Sequence, residues 1–301
     1  MKFATPFTLI AALALGSSVA NGQDFKTSAS SGSDKKAVMP EEVADRPSRG
    51  LITLEGPSGM FINPTSATLP QGQFTLQYCL FFPNRDTDIV GHGTLISYGV
   101  MDWLEVGFVG NMIDVNADLI PDTRAIGRAA LAAQPISRDQ AGYNDEFAVG
   151  GPMIRARLLK GDEWWPEVSV GGYMKWGTNA LNQGTLFVAA SKRIEIDPDG
   201  FFKSIVIQTG ARQTWYDKPQ GRGAVRDSGR FYGGLELELP YRFYVIGEVT
   251  QKDNDFDRRM PFAYGVQCRL PGVNLTFAAL QDGGQHERIG LYSGVGISFG
   301  F

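Results

Sequence analysis

Residues 288–301 read Arg-Ile-Gly-Leu-Tyr-Ser-Gly-Val-Gly-Ile-Ser-Phe-Gly-Phe. The stretch alternates. Ile289, Leu291, Val295, Ile297, Phe299 and Phe301 fall on one face, with Ser293 the one polar residue among them. Gly290, Tyr292, Gly294, Gly296, Ser298 and Gly300 fall on the other. A period of two defines a β-strand, because successive side chains leave a strand on opposite sides. One face of this strand is apolar and the other is small or polar. An apolar face needs either a packed core or lipid against it, and the rest of the chain decides between them.

The same alternation recurs upstream, in about twelve segments from Gly72 onward. Phe74, Leu76, Tyr78, Leu80 and Phe82 form one apolar face. Segments follow at about 93–98 and 104–108, where Leu104, Val106 and Phe108 oppose Glu105 and Gly107. At about 147–159, Ile154, Ala156 and Leu158 oppose Arg155 and Arg157. At 167–176, Val168, Val170, Met174 and Trp176 oppose Glu167, Ser169, Tyr173 and Lys175. Two more run at about 184–194 and 204–216, the latter carrying Arg212 on its polar face. Phe231, Leu235, Leu237 and Leu239 then oppose Glu236 and Glu238. Pro240-Tyr241 reads as a two-residue turn into a strand with Arg242 and Glu248 on the polar face. The last three segments are 262–270, with Arg269 on the polar face, then 273–281, and the closing strand.

The connections alternate between short and long. Turns around 100–102, 160–166, 197–200, 240–241 and 271–272 are short, and the stretches between them are longer and polar. The longest, about 113–146, includes a helix-like patch near 124–133. Segregation of loop length by parity is the habit of up-and-down transmembrane barrels. The tryptophans fit that reading: Trp103, Trp164 and Trp165 fall at the short-turn ends, and Trp176 and Trp215 at the other ends. An indole is mostly apolar with one N–H to satisfy, so it favours a membrane–water interface. The expected fold is therefore all-β, a transmembrane antiparallel up-and-down barrel of about twelve strands over 72–301.

The chain opens with Met1-Lys2, an apolar run to Leu15, and Ser18-Val19-Ala20, the pattern of a secretory signal peptide over 1–20. Residues 21–50 have no period and are rich in Ser, Asp, Lys and Ala, the composition of a disordered periplasmic leader. The Pro/Gly-rich segment 51–71 can be neither a helix nor a central strand. It either lines the lumen or lies under its mouth.

With 37 glycines among 301 residues, the chain exceeds the usual share of about 7%. That suits crowded walls. A net charge of −4 argues against a nucleic-acid partner. Cys79 and Cys268 sit on opposite faces of the expected wall and so cannot bridge. Two histidines and two cysteines, scattered, make no zinc site, and no cofactor is called for. Asp253, Asp255 and Asp257 are spaced like half a calcium loop, but Arg258 and Tyr264 stand where such a loop needs Gly and Glu. A solvated loop is expected instead. No nucleophile is evident, so no enzymatic activity is expected.

The closing strand, with its aromatic end at Phe299 and Phe301, resembles the C-terminal strand of bacterial outer-membrane β-barrels. That resemblance implies recognition of those residues by the barrel-assembly machinery, contact with outer-membrane lipid, and both termini in the periplasm of a Gram-negative cell. His92-Gly93-Thr94 is the nearest approach to the His-x-Ser pair of outer-membrane phospholipases and lacks their serine. Pro64-Thr65-Ser66-Ala67 with Leu69-Pro70-Gln71-Gly72, and the turn Gly99–Gly107, resemble segments of YjbH-type barrels linked to exopolysaccharide production. That second likeness implies polysaccharide-export components as partners. Inward charges Glu105, Arg155, Arg157, Glu167, Lys175, Arg212, Glu236, Glu238, Arg242, Glu248 and Arg269 leave two interiors open: a polar channel of porin type for small solutes or ions, or a plugged lumen whose ion pairs hold the wall. The first expectation is a passive channel: Glu238 and Arg242 flank the turn and pair, Glu248 is left to face lumen water, and the acidic surplus of Glu236, Glu238 and Glu248 favours cations. The alternative is a non-conducting envelope accessory.

Overall fold

The computed structural model describes residues 53, 57, 59–82, 89–115, 146–178, 182–216, 227–254, 257, 259–281 and 289–300. All of these belong to one compact unit, Asp45–Phe301. The expected signal peptide, the expected leader, the expected helix-like patch near 124–133, Asp255, His286 and Phe301 lie outside the described residues.

Twelve strands form a closed antiparallel barrel. They are β1 (Gln73–Phe82), β2 (Ile89–Met101), β3 (Leu104–Val115), β4 (Glu146–Leu159), β5 (Glu167–Thr178), β6 (Gln183–Glu195), β7 (Ser204–Tyr216), β8 (Ser228–Glu238), β9 (Phe243–Thr250), β10 (Phe262–Leu270), β11 (Val273–Gln281) and β12 (Gly290–Gly300). Each strand pairs with its neighbours in sequence, and β12 closes on β1 from Gln73↔Gly300 to Phe82↔Leu291. Closure leaves no unpaired strand edge, which is what a β structure needs where no water can satisfy its backbone.

The alternation determines which way each side chain points. Along β1, Thr75, Gln77, Cys79 and Phe81 are buried and Leu76, Tyr78 and Phe82 are exposed. The outer wall is a continuous apolar band that includes Phe108, Val188, Ile207, Phe231, Leu235 and Phe277. Phe231 is 69% exposed and Phe277 is 62% exposed. Soluble monomers rarely show contiguous apolar patches beyond a few hundred Å². A full belt of such residues is a surface built for hydrocarbon.

The connections at one rim are 102–103, 160–166, 196–203, 239–242 and 271–272, the longest of them eight residues. This turn rim also carries the start of β1 and the end of β12. The connections at the opposite, loop rim are 83–88, 116–145, 179–182, 217–227, 251–261 and 282–289. In the turn Pro271-Gly272, Gly272 has φ 74°, the positive value that a type II turn requires at its third position.

The strand between Pro240 and Glu248 departs from the sequence expectation. The β8–β9 connection is a 3₁₀ turn at Pro240–Arg242 rather than a two-residue turn, with Tyr241 and Arg242 at φ 59° and 62°. The extra residues carry Arg242 out of the strand. Its side chain is exposed at the turn rim and is not part of the interior. Strand β2 is also longer than expected and carries a register shift between Gly99 and Met101.

Candidate functional site

The site is the barrel interior, and the segment 59–72 runs through it. Gly72 N–H donates to Gly99 O at 2.8 Å, which anchors the segment at the turn rim. From there a stem, 65–71, crosses the inner wall. Gln71 N–H donates to Asp102 Oδ1 at 3.2 Å and Leu69 N–H to Glu105 Oε2 at 3.1 Å. Thr68 Oγ1 donates to Asp102 O at 3.0 Å. Arg155 Nη1 donates to Ala67 O at 2.5 Å. Ser66 Oγ donates to Glu167 Oε1 at 3.1 Å and also contacts Ser191 Oγ.

Beyond the stem, 59–64 folds back on itself as a tight hairpin. Gly59 and Pro64 form an isolated antiparallel bridge, and Met60 N–H donates to Asn63 O at 3.0 Å. A Cβ at position 59 would lie 2.0 Å from Asn63 O, so only glycine permits this approach. The tip reaches β9. Glu248 accepts from Phe61 N–H at 2.8 Å, Ile62 N–H at 2.5 Å, Asn63 N–H at 3.3 Å and Asn63 Nδ2 at 2.8 Å. Asn63 Nδ2 also lies 2.7 Å from Thr250 Oγ1. Three successive backbone amides around one carboxylate make a compact anion nest.

The same tip carries apolar side chains into the lumen. Met60, Phe61 and Ile62 are buried in a cluster with Leu95, Tyr173, Phe187, Ile246, Leu280 and Tyr292. Phe61 meets Tyr292 edge-on, centroids 6.1 Å apart. Gly234 leaves the space that Met60 fills, since a Cβ there would stand 2.4 Å from Met60 Sδ. The interior is thus apolar at the level of the tip and polar toward the turn rim. The sequence reading held no such apolar layer. Inward Leu95, Val109, Phe187 and Ile246 break the polar alternation singly, and only closure of the barrel brings them together with the segment.

The inward charges are engaged with one another. Arg269 stacks over Tyr244 at 4.0 Å and reaches across β9 to Glu236, with Nη1–Oε1 2.8 Å and Nη2–Oε2 2.7 Å. Arg193 crosses β7 to Glu238 at 2.6 Å, and Ser204 Oγ donates to the same oxygen at 2.8 Å. Arg157 lies 3.6 Å from Glu167. Lys175 Nζ donates to Asn111 Oδ1 at 2.6 Å and sits 4.9 Å from the Tyr173 ring centroid. Arg155 lies over Phe187, and Arg212 is buried on β7.

These partners correct three expectations. Glu238 pairs with Arg193 and not with Arg242, because the turn moves Arg242 away. Glu236 is held bidentately by Arg269, so it does not face open lumen. Glu248 is buried beneath the hairpin tip and not water-facing. Arg193 was missed in the sequence. Its position on the alternation Thr185, Phe187, Ala189, Ser191 was the available signal.

At the loop rim, Arg230 Nη2 meets Asp257 Oδ1 at 3.2 Å, and Asp257 Oδ2 accepts Asp253 N–H at 2.9 Å. Asp257 itself is buried, while Gln251, Lys252, Asn254, Arg259 and Met260 of the same loop are exposed; burial pushes the Asp257 carboxyl up, and the Arg230 charge opposes the rise. Among the described residues no cluster of three or more metal-ligating side chains occurs. At the turn rim a cavity of about 690 Å³ lies beside Arg157, Glu167, Ser191 and Arg193, bounded by the 160–166 turn. In that turn Asp162 Oδ1 accepts Trp164 N–H at 2.8 Å and Trp165 N–H at 2.7 Å. The amides of Trp165 and Trp164 hold its carboxyl below the ordinary 3.8.

Trp103, Trp164 and Trp165 are exposed at the turn rim, and Trp176 is exposed and Trp215 half-buried toward the loop rim. Phe299 packs on Phe74 across the closing seam, centroids 5.0 Å apart. His92 points outward, with Nδ1 2.6 Å from Tyr78 Oη. Cys79 is buried inside and Cys268 faces out; both are free thiols.

A closed twelve-stranded barrel with an apolar outer belt and a charged interior has the architecture of outer-membrane barrels. A solved outer-membrane channel shares the fold. The COG4313 outer-membrane channel from Pseudomonas putida F1 matches with a TM-score of 0.52 at 12% identity, over 79% of this chain and 100% of that one. A KdgM porin in complex with disordered oligogalacturonate matches with a TM-score of 0.46 at 10% identity, over 75% and 99% of the two chains. An anion-selective porin from Comamonas acidovorans gives 0.31 at 11% identity, over 75% and 98%. At 12% identity the likeness to the Pseudomonas putida channel is one of fold alone. No protein-family model matches the chain, and no curated protein matches it.

Proposed function

We propose that this protein is an outer-membrane barrel of porin type that passes small polar solutes or ions, and that the segment 59–71 closes the passage in the conformation described. The turn rim with both barrel ends faces the periplasm, and the longer connections face outward. One observation carries the reading: the segment is held to the wall largely by hydrogen bonds to Glu105, Arg155, Glu167 and Glu248. Buried backbone amides need acceptors in any interior, but a carboxylate is an acceptor that is also well solvated by water, so the same groups serve the bound segment and an open lumen. Contacts made by carboxylates to amides are ones that water can replace. Planar-bilayer recording on the purified full chain tests the reading. Discrete conductance steps are expected, and none from heat-modifiable, folded protein would reject a channel.

A second reading draws on the same segment. With Met60, Phe61 and Ile62 packed across the lumen, the barrel could serve as a non-conducting envelope accessory working with polysaccharide-export components. It would then show no conductance and would co-purify with those components.

A further inference from the structure

We infer that the hairpin 59–64 is a detachable tip latched to the wall by Glu248, and that its release opens a passage along β9–β12 in which Glu248 becomes the exposed acid. This rests on the channel reading and names the device that regulates it.

The stem and the tip are held differently. The stem, 65–71, is fastened to β3, β4, β5 and β6 and to the β2–β3 turn through Glu105, Arg155, Glu167, Ser191 and Asp102. Losing one of these leaves the others. The tip's polar hold on the wall comes from adjacent positions of a single strand. Glu248 takes all four donors of 61–63, and Thr250 meets only the Asn63 amide. The remaining hold is apolar: Met60, Phe61 and Ile62 share a buried cluster with Leu95, Tyr173, Phe187, Ile246, Leu280 and Tyr292, with Phe61 on Tyr292 and Met60 over Gly234.

On the wall behind the tip small side chains alternate with large ones, Leu280 standing opposite Ala263 in the β10–β11 pairing. Ala263 on β10 and Ala278 on β11 lie beside Ile246 and Tyr292. Moving the tip off this wall leaves space that these residues cannot fill. The stem stays against β3–β6, so the passage opens on one side only. The carboxylate that gripped the amides is then left facing the passage, where a fixed negative charge favours cations. One residue therefore governs both opening and selectivity. A Gln at 248 weakens the latch, because its amide nitrogen would face N–H donors, and it also removes the charge.

The test uses full-length protein in lipid vesicles with Cys79 and Cys268 replaced by Ser. Ile62→Cys reports the tip and Leu69→Cys the stem; both positions are buried. A membrane-impermeant maleimide measures access. Glu248→Gln should speed labelling at 62 by about tenfold or more, the factor expected when a net hydrogen bond to a charged group is lost. Labelling at 69 should not change. An unchanged rate at 62, or an equal rise at 69, overturns the latch. If Glu248→Gln loses its heat-modifiable gel shift, Asn63→Ala serves, since it removes the side-chain donor and leaves the wall intact. Bilayer recording adds a second arm. Glu248→Gln should be open for more of the time, with a reversal potential shifted away from cations. Faster labelling with no current in any variant sinks the channel reading and leaves the latch. Current with an unshifted reversal potential rejects Glu248 as the acid of the passage.

Discussion

Replacing Arg269 by Met should be among the most destabilising changes on the inner wall. Its partner Glu236 is 1% exposed and bound by two parallel N–H donors. Met keeps much of the side-chain volume and removes the charge. The carboxylate is then left out of water with its bidentate partner gone, which costs about 3–5 kcal/mol when a buried pair is broken on one side. Loss of the guanidinium over Tyr244 adds roughly 0.5–2 kcal/mol. Part of this returns if the charge is removed from both sides. Arg269→Met with Glu236→Gln should therefore be more stable than Arg269→Met alone, by about 1–3 kcal/mol. The assay is reversible urea unfolding in lipid vesicles, followed by tryptophan fluorescence. A single-variant loss below about 1 kcal/mol, or a double variant no better than the single, would refute the claim that this pair holds the β8–β10 wall.

Three further outcomes follow from the same geometry. Val188→Arg, outward near the middle of β6, should cost about 2–4 kcal/mol in a vesicle unfolding assay, against about 0–1 for Ile194→Arg near the turn rim; equal costs would contradict the membrane depth assigned to this strand. Asp162 has a depressed folded-state pKa, so its contribution to the turn is present above the unfolded value of 3.8 and is lost as pH falls through the lower folded value. Fluorescence from Trp164 and Trp165 should show an acid step that Asp162→Asn abolishes. Gly59→Ala would place a Cβ 2.0 Å from Asn63 O, so the hairpin must open, at a cost of about 1–3 kcal/mol in the same unfolding assay; no loss would mean that the hairpin does not need the close packing.

The facing of nearly every strand was legible in the chain because a β-strand encodes its two faces locally. Leu76 and Phe277 belong to lipid and Gln77 and Glu236 to the interior whichever strands they meet, since side-chain direction depends on position parity alone. Strand number followed from the same pattern, while the β5–β6 connection at 179–182 is shorter than the β6–β7 connection at 196–203 and breaks the division into short and long. Departures came where parity was interrupted: the 3₁₀ turn at Pro240–Arg242 took Arg242 off its strand, a backbone event that a reading by twos passes over.

What only the tertiary structure decided is who meets whom inside. Asn63 and Glu248 stand 185 residues apart, and Arg193 and Glu238 stand 45 apart. A charged side chain on an inner face has several candidate partners within reach, and neither its spacing nor its neighbours in sequence rank them. Ranking comes from the curvature of the closed wall, which brings non-adjacent strands to a common interior, and from the segment 59–72 competing for the same carboxylates. Because that segment has no period, its chemistry announced that it was neither helix nor strand. The backbone amides of 61–63 are invisible in a list of side chains. They become the partners of Glu248 only once the hairpin turns them toward β9.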